Sequence, residues 1–304
     1  MPAILRRPIL TTGLMALTLG AAAACGSSSS GGSGATVTPA ASSTPSVNSA
    51  AAALVPASVK SKGTLVVAAD ATYAPNEFIG SDGKTVEGMD ADLAKAIGTA
   101  LGLKVTVTNE TFDGIIPGIA AGKYDLGMSS FTDTKLREKT VDFVDYFQAG
   151  TSFFENAQGG PTVTGLSSLC GLKVAVEKGT TQQDGATAQG KKCKTAGKPN
   201  VTVDTFPDQN GANLALQSGH DQVGMADSPV AAYQVKQSSG KFKLVGTAYG
   251  VAPYGIAMPK GGMTQAVQAA ITGLIADGTY NQILTKWGVQ SGAITAPTIN
   301  GATS

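Results

Sequence analysis

The sequence predicts an α/β fold of two lobes, each a parallel sheet covered by helices. Three features carry this. Apolar strand segments alternate with helical ones in the order β-α-β-α-β, which calls for a parallel sheet with helices on its faces. The order occurs twice, from "GTLVVAAD" to "YDLGMSS" and again from "CGLKVAVEKG" to "DQVGMAD". The two passes also echo in letters, since "GKYDLGM" (122–128) and "GHDQVGM" (219–225) both open on Gly and close on Gly-Met.

Each element has its own reason. "GTLVVAAD" is a buried strand ending at Asp70. "GMDADLAKAIGTALG" places Met89, Leu93, Ile97 and Leu101 four residues apart, one apolar stripe of a helix. "LKVTVTNE" is a strand, "FDGIIPGIAAG" a helix with Pro117 near its first turn, and "YDLGMSS" a strand. In the second pass, 181–195 is a helix, "NVTVDTF" a strand, "DQNGANLALQSG" a helix and "DQVGMAD" a strand. "YGIAMPKG" adds a strand, and helices over 264–277 and 279–287 end at Trp287, the single Trp. That Trp reads as a packing residue of the terminal helix.

The first 25 residues have the layout of an export signal: Arg6 and Arg7, an uncharged apolar run, then Cys25. "AAAAC" resembles a lipobox, which would lipidate Cys25, although Ala22 stands where Leu is usual. Ala22-Ala23-Ala24 equally suits ordinary secretion. Residues 1–24 are thus read as signal and 25–57 as a tether, because Gly, Ser, Thr, Ala and Pro without charge cannot bury enough surface to fold. The remaining chain, about 240 residues, suffices for one large domain or two lobes. Beyond Arg6 and Arg7, its basic side chains nearly balance 21 acidic ones, without basic clusters, which argues against a nucleic-acid partner. In an exported chain, Cys170 and Cys193 are read as one disulfide.

Ligands of open parallel sheets lie beyond the carboxyl ends of the strands. Those ends carry Asp70, with Tyr73 close behind; Ser129 and Ser130, followed by Thr132; Gly179, Thr180 and Thr181; and Asp227. Arg137 stands just after one of them, in "SSFTDTKLREKTVDF", and is the only arginine after the first ten residues. "TDTKLREK" reads as a helix start capped by Asp133 or Thr134. An arginine in a first turn opposes the helix dipole unless an anion is also there. Its planar fork grips a carboxylate as lysine cannot. The competing reading is a surface arginine paired with Glu138 or Asp142. Asp227 is suited to an ammonium group or, in "DSP", to a helix N-cap. Tyr73 and Phe112 are aromatic walls or core. The phosphate-loop ending Gly-Lys-Ser/Thr does not follow Gly179. The single His220 reads as a solvated turn residue, and neither a metal-ligand cluster nor a His-based triad is expected.

Seven ordered motifs together resemble the bacterial extracellular solute-binding proteins of the polar amino acid type, family 3. They are "DATYAP", "GMDADLAKAI", "FDGIIPGIAAGKYDL", "SSFTDTKLREKTVDF", "VEKGTTQ", "MADSPVAAY" and "DGTYNQILTKWG", spanning about residues 60 to 288. Met89 departs from the aromatic or branched residue usual after Gly, and Asn76 from a frequent Phe. The resemblance implies the periplasmic-binding-protein type II fold, with two hinge strands and a ligand cleft between lobes. Lobe 1 would be 58–148 plus 254–292, lobe 2 152–249, with crossings near 148–151 and 250–253 and a tail at 293–304.

It also implies roles. Arg137, Thr132 and Ser130 would hold an α-carboxylate, helped by the Thr181 backbone. Asp227 and Ser130 would receive the α-ammonium. Tyr73 and Phe112 would sandwich the side chain, and Asp70 would face its far end. The implied function is capture of a polar L-amino acid, basic or amide in side chain, by cleft closure. A monomeric protein would deliver it to the permease and ATPase of an ABC importer, without cofactor or catalysis, from a lipid anchor on the outer face of the membrane or as a soluble exported protein. An acidic ligand would require Lys178 in the cleft. Two alternatives remain: a cyclohexadienyl dehydratase-like enzyme on the same fold, which needs an acid in the cleft, and a ligand-sensing receptor.

Overall fold

The computed structural model describes residues 46–303. The signal segment and Cys25 lie outside them. The first half contains helices α1 (Ser49–Ala53) and α2 (Ala57–Lys62), strands β1 (Thr64–Ala69), β2 (Thr72–Tyr73), β3 (Glu77–Ile79) and β4 (Val86–Glu87), helix α3 (Met89–Leu101), strand β5 (Lys104–Asn109), helix α4 (Phe112–Ala120) and strand β6 (Leu126–Gly127). The long strand β7 (Val141–Asn156) leads into the second half: β8 (Lys173–Glu177), α5 (Thr181–Thr195), β9 (Thr202–Phe206), α6 (Gln209–Gln217), β10 (Val223–Asp227) and α7 (Ser228–Gln237). The long strand β11 (Phe242–Pro259) returns, followed by α8 (Thr264–Ala276) and α9 (Thr279–Trp287).

The main sheet runs β5-β1-β6-β11-β7-β10-β8-β9, and β2-β3-β4 form a small separate sheet. β1, β5 and β6 are parallel to one another, as are β8, β9 and β10. β7 and β11 pair antiparallel along their length and join the two halves. Their register shifts around Tyr249, Ala252 and Tyr254. Long strands that lose register there have a natural place to bend.

Each half has its own core. In the first, Met89, Leu93, Ile97 and Leu101 bury the predicted stripe of α3 against α8, α9 and the sheet. Each fully buried side chain of this kind contributes about 1.5–3 kcal/mol. Gly88 opens α3 at φ +125°, where a Cβ would lie 2.2 Å from the Asn76 carbonyl oxygen. The second core gathers Phe153, Leu169, Val174, Val176, Ala186 and Met225. The Cys170–Cys193 disulfide, with Cα atoms 5.6 Å apart, ties the segment before β8 to the last turn of α5. A loop of this size gains about 2–4 kcal/mol from closure.

Three expectations need correction. The tether cannot run to residue 57, because "SAAAA" forms α1, capped by the Asn48 side chain, with Ala51 fully buried against α3 and α8. A run of alanine has the best intrinsic helix propensity; a buried surface to pack on completes it. Pro117 lies well inside α4 rather than near its first turn. "TDTKLREK" is not the start of an α-helix but a turn leading into a short 3-10 segment, Arg137–Lys139. The C-terminal residues also fold back: Ile299 bridges Val144, and the Asn300 side chain accepts from the Phe143 N–H at 2.8 Å.

Candidate functional site

All ten candidate ligand-binding residues line one cleft: Asp70, Tyr73, Phe112, Ser129, Ser130, Thr132, Arg137, Thr180, Thr181 and Asp227. Glu177 and Gln182 complete its wall. The space among these residues, including what opens to solvent, is about 280 Å³. The first seven come from the first half and the others from the second, so the two halves face each other across it.

Several bonds cross the cleft. The Asp227 N–H donates to the Tyr73 hydroxyl at 3.0 Å, and the Gln209 N–H to the Thr72 hydroxyl at 3.1 Å. Lys178 pairs with Asp113 at 2.7 Å. Lys178 therefore faces outward, is largely exposed, and does not line the cleft. These contacts hold the halves in a closed arrangement.

Arg137 sits where the 3-10 segment begins, its backbone N–H donating to the Thr134 hydroxyl at 3.2 Å. Its Nη1 donates to the Thr132 carbonyl at 2.7 Å and its Nη2, across the cleft, to the Gly179 carbonyl at 3.0 Å. Gly179 presents that carbonyl from φ +79°, a conformation that favours glycine. The guanidinium lies 5.3 Å from both the Phe112 and Phe131 ring centres, and those rings stack on each other. The surface-pair reading fails: Glu138 pairs with Lys135 and Asp142 with Lys260. Although Arg137 keeps some exposed surface, dense packing around the guanidinium lowers its pKa to about 10, against the opposing pull of Asp227.

Asp227 is the N-cap residue of α7, with a proline in the first turn, but its side chain makes no capping bond. It accepts instead from Gln182 Nε2 at 2.8 Å. Gln182 Nε2 also reaches the Thr151 hydroxyl at 2.9 Å, on β7 where the halves meet. Burial raises the Asp227 pKa to about 6. Thr180 caps α5 by accepting from the Gln183 N–H at 3.2 Å, so Thr181 opens that helix beside the cleft.

Ser129 and Ser130 are held from behind. Their hydroxyls donate to the two carboxyl oxygens of buried Glu77, each at 3.2 Å. Ser130, at φ +51°, also donates its N–H to Asp90 at 2.9 Å and accepts from Asn76 at 2.9 Å. Burial, then the nearby Asp90, pushes the Glu77 pKa well up.

Asp70 and Glu177 meet from opposite halves. Asp70 accepts from the Thr72 hydroxyl at 2.6 Å and the Phe112 N–H at 3.0 Å. Burial still raises its pKa. Burial pushes the Glu177 pKa well up, reinforced by the neighbouring Asp70 carboxyl. Glu177 Oε1 is buried and has no partner. The strongest charges acting on this pair are mutual or come from Asp208 and Asp227, all negative. A cation with several N–H donors is the natural complement to such a pair.

Glu177 was legible and was missed. It ends strand β8, and the rule that singled out Asp70 and Asp227 applies to it equally, but "EKG" resembles an exposed turn. Gln182 carried no such signal, because nothing local reveals that its amide turns inward from α5. His220, exposed in its turn as expected, nevertheless meets Asp204 and Asp221.

The chain resembles known proteins in sequence and in fold. The family model for bacterial extracellular solute-binding proteins, family 3, matches residues 65–290. The arginine-binding protein ArgT of Corynebacterium glutamicum is 33% identical over 250 residues, covering 82% of both chains. A solved ancestral arginine-binding protein bound to arginine is 38% identical, with a TM-score of 0.68 over 74% of this chain and 98% of that one. The ancestral amino acid-binding protein AncCDT-1, a precursor of cyclohexadienyl dehydratase, is 33% identical, with a TM-score of 0.65 over 76% and 97%. The chain belongs to the bacterial extracellular solute-binding proteins, family 3.

Proposed function

We propose that this protein captures a basic L-amino acid, arginine above all, by closing its lobes around it, and hands it to an ABC importer. The observation that carries the reading is the buried pair Asp70 and Glu177, with an unpartnered carboxyl oxygen and no cation among the charges that act most on it. A guanidinium brings both the charge and the donors that the pair needs. The names of the arginine-binding relatives support the same choice. An amide side chain could donate to these carboxyls but would leave their charge uncompensated.

In this reading Arg137 releases the Gly179 carbonyl and turns its fork on the α-carboxylate, with the N–H groups at the start of α5 assisting. Asp227 takes the α-ammonium, and Tyr73 and Phe112 flank the aliphatic stem. Because the ligand's groups reach both lobes, binding favours the closed state. The lobes divide near 148–151 and 250–253, where the β7–β11 register is irregular. The permease, the ATPase, a Cys25 lipid anchor and a monomeric state complete the proposal.

Calorimetric titration with each of the twenty amino acids tests it. Arginine should bind most tightly, with lysine next. Binding to none of them, or tightest binding to glutamate, would defeat the reading. The Glu177 carboxyl, its pKa pushed well up by burial in the cleft, favours a dehydratase. Asp227, facing the cleft as an ammonium acceptor, weighs against it, and turnover of prephenate or arogenate by the purified protein would decide.

A further inference from the structure

A second cluster of polar groups lies in the second half of the sheet, outside the cleft, where the turn entering β10 meets the middle of β9. Asp204 projects from β9, the edge strand of the main sheet. His220 and Asp221 form the turn between α6 and β10. One ligand atom from each of the three lies within 4.8 Å of the others.

Asp221 is the decisive member. It is 1% exposed, and neither carboxyl oxygen has a hydrogen-bond partner. A buried carboxyl without a donor is costly unless a cation or a proton meets it. Its carboxyl abuts that of Asp204, so the nearest group adds like charge. Lys173 is the other cation whose field reaches it, but Lys173 is exposed and does not bond to it. The His220 Nε2 to Asp204 Oδ2 separation is 3.5 Å, too long for a good hydrogen bond. It does match the spacing of two ligands on one tetrahedral ion, about 3.3–3.6 Å for metal–ligand bonds of about 2.0–2.2 Å.

We infer that Asp204, His220 and Asp221 form a binding site for a divalent transition-metal ion of the zinc class. One imidazole nitrogen and two carboxylate oxygens are borderline-to-hard donors, which suit Zn²⁺ and its neighbours better than a thiolate-seeking ion. Three protein ligands leave a fourth position to water. Cys170 and Cys193 are joined to each other and do not compete. An ion here pins the turn before β10 to edge strand β9, outside the amino acid cleft.

The test is calorimetric titration of the purified, tag-free protein with ZnCl₂, alongside thermal unfolding with and without the metal. The wild type should bind one equivalent and unfold at a higher temperature with zinc present. Exposed His220→Ala, which removes no buried contact, should bind zinc at least tenfold more weakly and lose the thermal shift while keeping its amino acid affinity. Asp221→Asn should likewise weaken zinc binding. Absence of zinc binding by the wild type would overturn the assignment and leave only a histidine–carboxylate contact. Unchanged binding by His220→Ala would place the ion elsewhere and also overturn it, as would equally tight binding of MgCl₂.

Discussion

At one end of the cleft, Arg137 donates to two backbone carbonyls, Thr132 from its own half and Gly179 from the other. At the opposite extreme of charge, the buried carboxyls of Asp70 and Glu177 approach from the two halves, both raised in pKa by burial, and Glu177 Oε1 has no partner. The cation has neutral partners that can be exchanged for a carboxylate without leaving a buried charge behind. In the carboxylate pair Asp70 is hydrogen-bonded but Glu177 Oε1 is not, which makes this the more selective end in the proposed function. Under the proposed function the difference separates two jobs: Arg137 would recognise what all amino acids share, and Asp70 with Glu177 what only the basic ones carry.

The largest effect should come from the common end. Arg137→Lys removes a bidentate fork that a point charge cannot replace. Affinity should fall about a hundredfold for every ligand tested, within the 2–5 kcal/mol expected for breaking a buried charged pair. An unchanged dissociation constant by calorimetry would break the comparison at once. Next, Glu177→Gln should weaken arginine by about tenfold, roughly 1.4 kcal/mol, while leaving glutamine nearly unchanged. If both ligands weaken equally, the acidic end is not a side-chain selector.

Protons sharpen the same contrast. A cationic ligand needs ionised carboxyls, and Asp227 titrates near 6 while Asp70 and Glu177 are raised above their usual range. Arginine affinity should therefore fall as pH drops from 7.5 to 5.5, with protons released on binding, seen by calorimetry in buffers of different ionisation enthalpy. Stability of the ligand-free protein should move the opposite way. Its raised carboxyls, including Asp90 at about 6 and Asp133 at about 7, bind more protons folded than unfolded. Stability is then gained as pH falls from about 7 toward about 4. A melting temperature that drops across that window would contradict the buried, protonated carboxyls.

The smallest effect concerns the helix that frames the cleft. Thr180→Ala removes the α5 cap and should cost about 1 kcal/mol, or about 2–4 °C in melting temperature. A loss of amino acid affinity much larger than that of stability would give the Thr180 hydroxyl a direct role at the ligand.

Much of this could be read before folding was known, for identifiable reasons. The strand ends that carry Asp70, Ser129 and Asp227 follow from local apolar runs and a general rule for parallel sheets. The Arg137 fork was conspicuous because the chain otherwise uses lysine. What local sequence lacked was long-range pairing. The eighteen residues of β11 hold only one clear apolar stretch, and the rest are strand because β7 lies beside them. Helix α1 looked like linker because its small side chains show no stripe, yet they fit flat against α3 and α8. Ser130 was legible as a cleft residue but not as one braced from behind, since Glu77 and Asp90 reach it from strand β3 and the start of helix α3.

The most direct measurement compares L-arginine with L-citrulline, its uncharged near-isostere, by calorimetry on the same preparation at pH 7.5. Both present the same α-carboxylate to Arg137 and the same stem to Tyr73 and Phe112. If Asp70 and Glu177 select for charge, arginine binds at least tenfold more tightly and releases protons that citrulline does not. Equal affinities without proton release would contradict it.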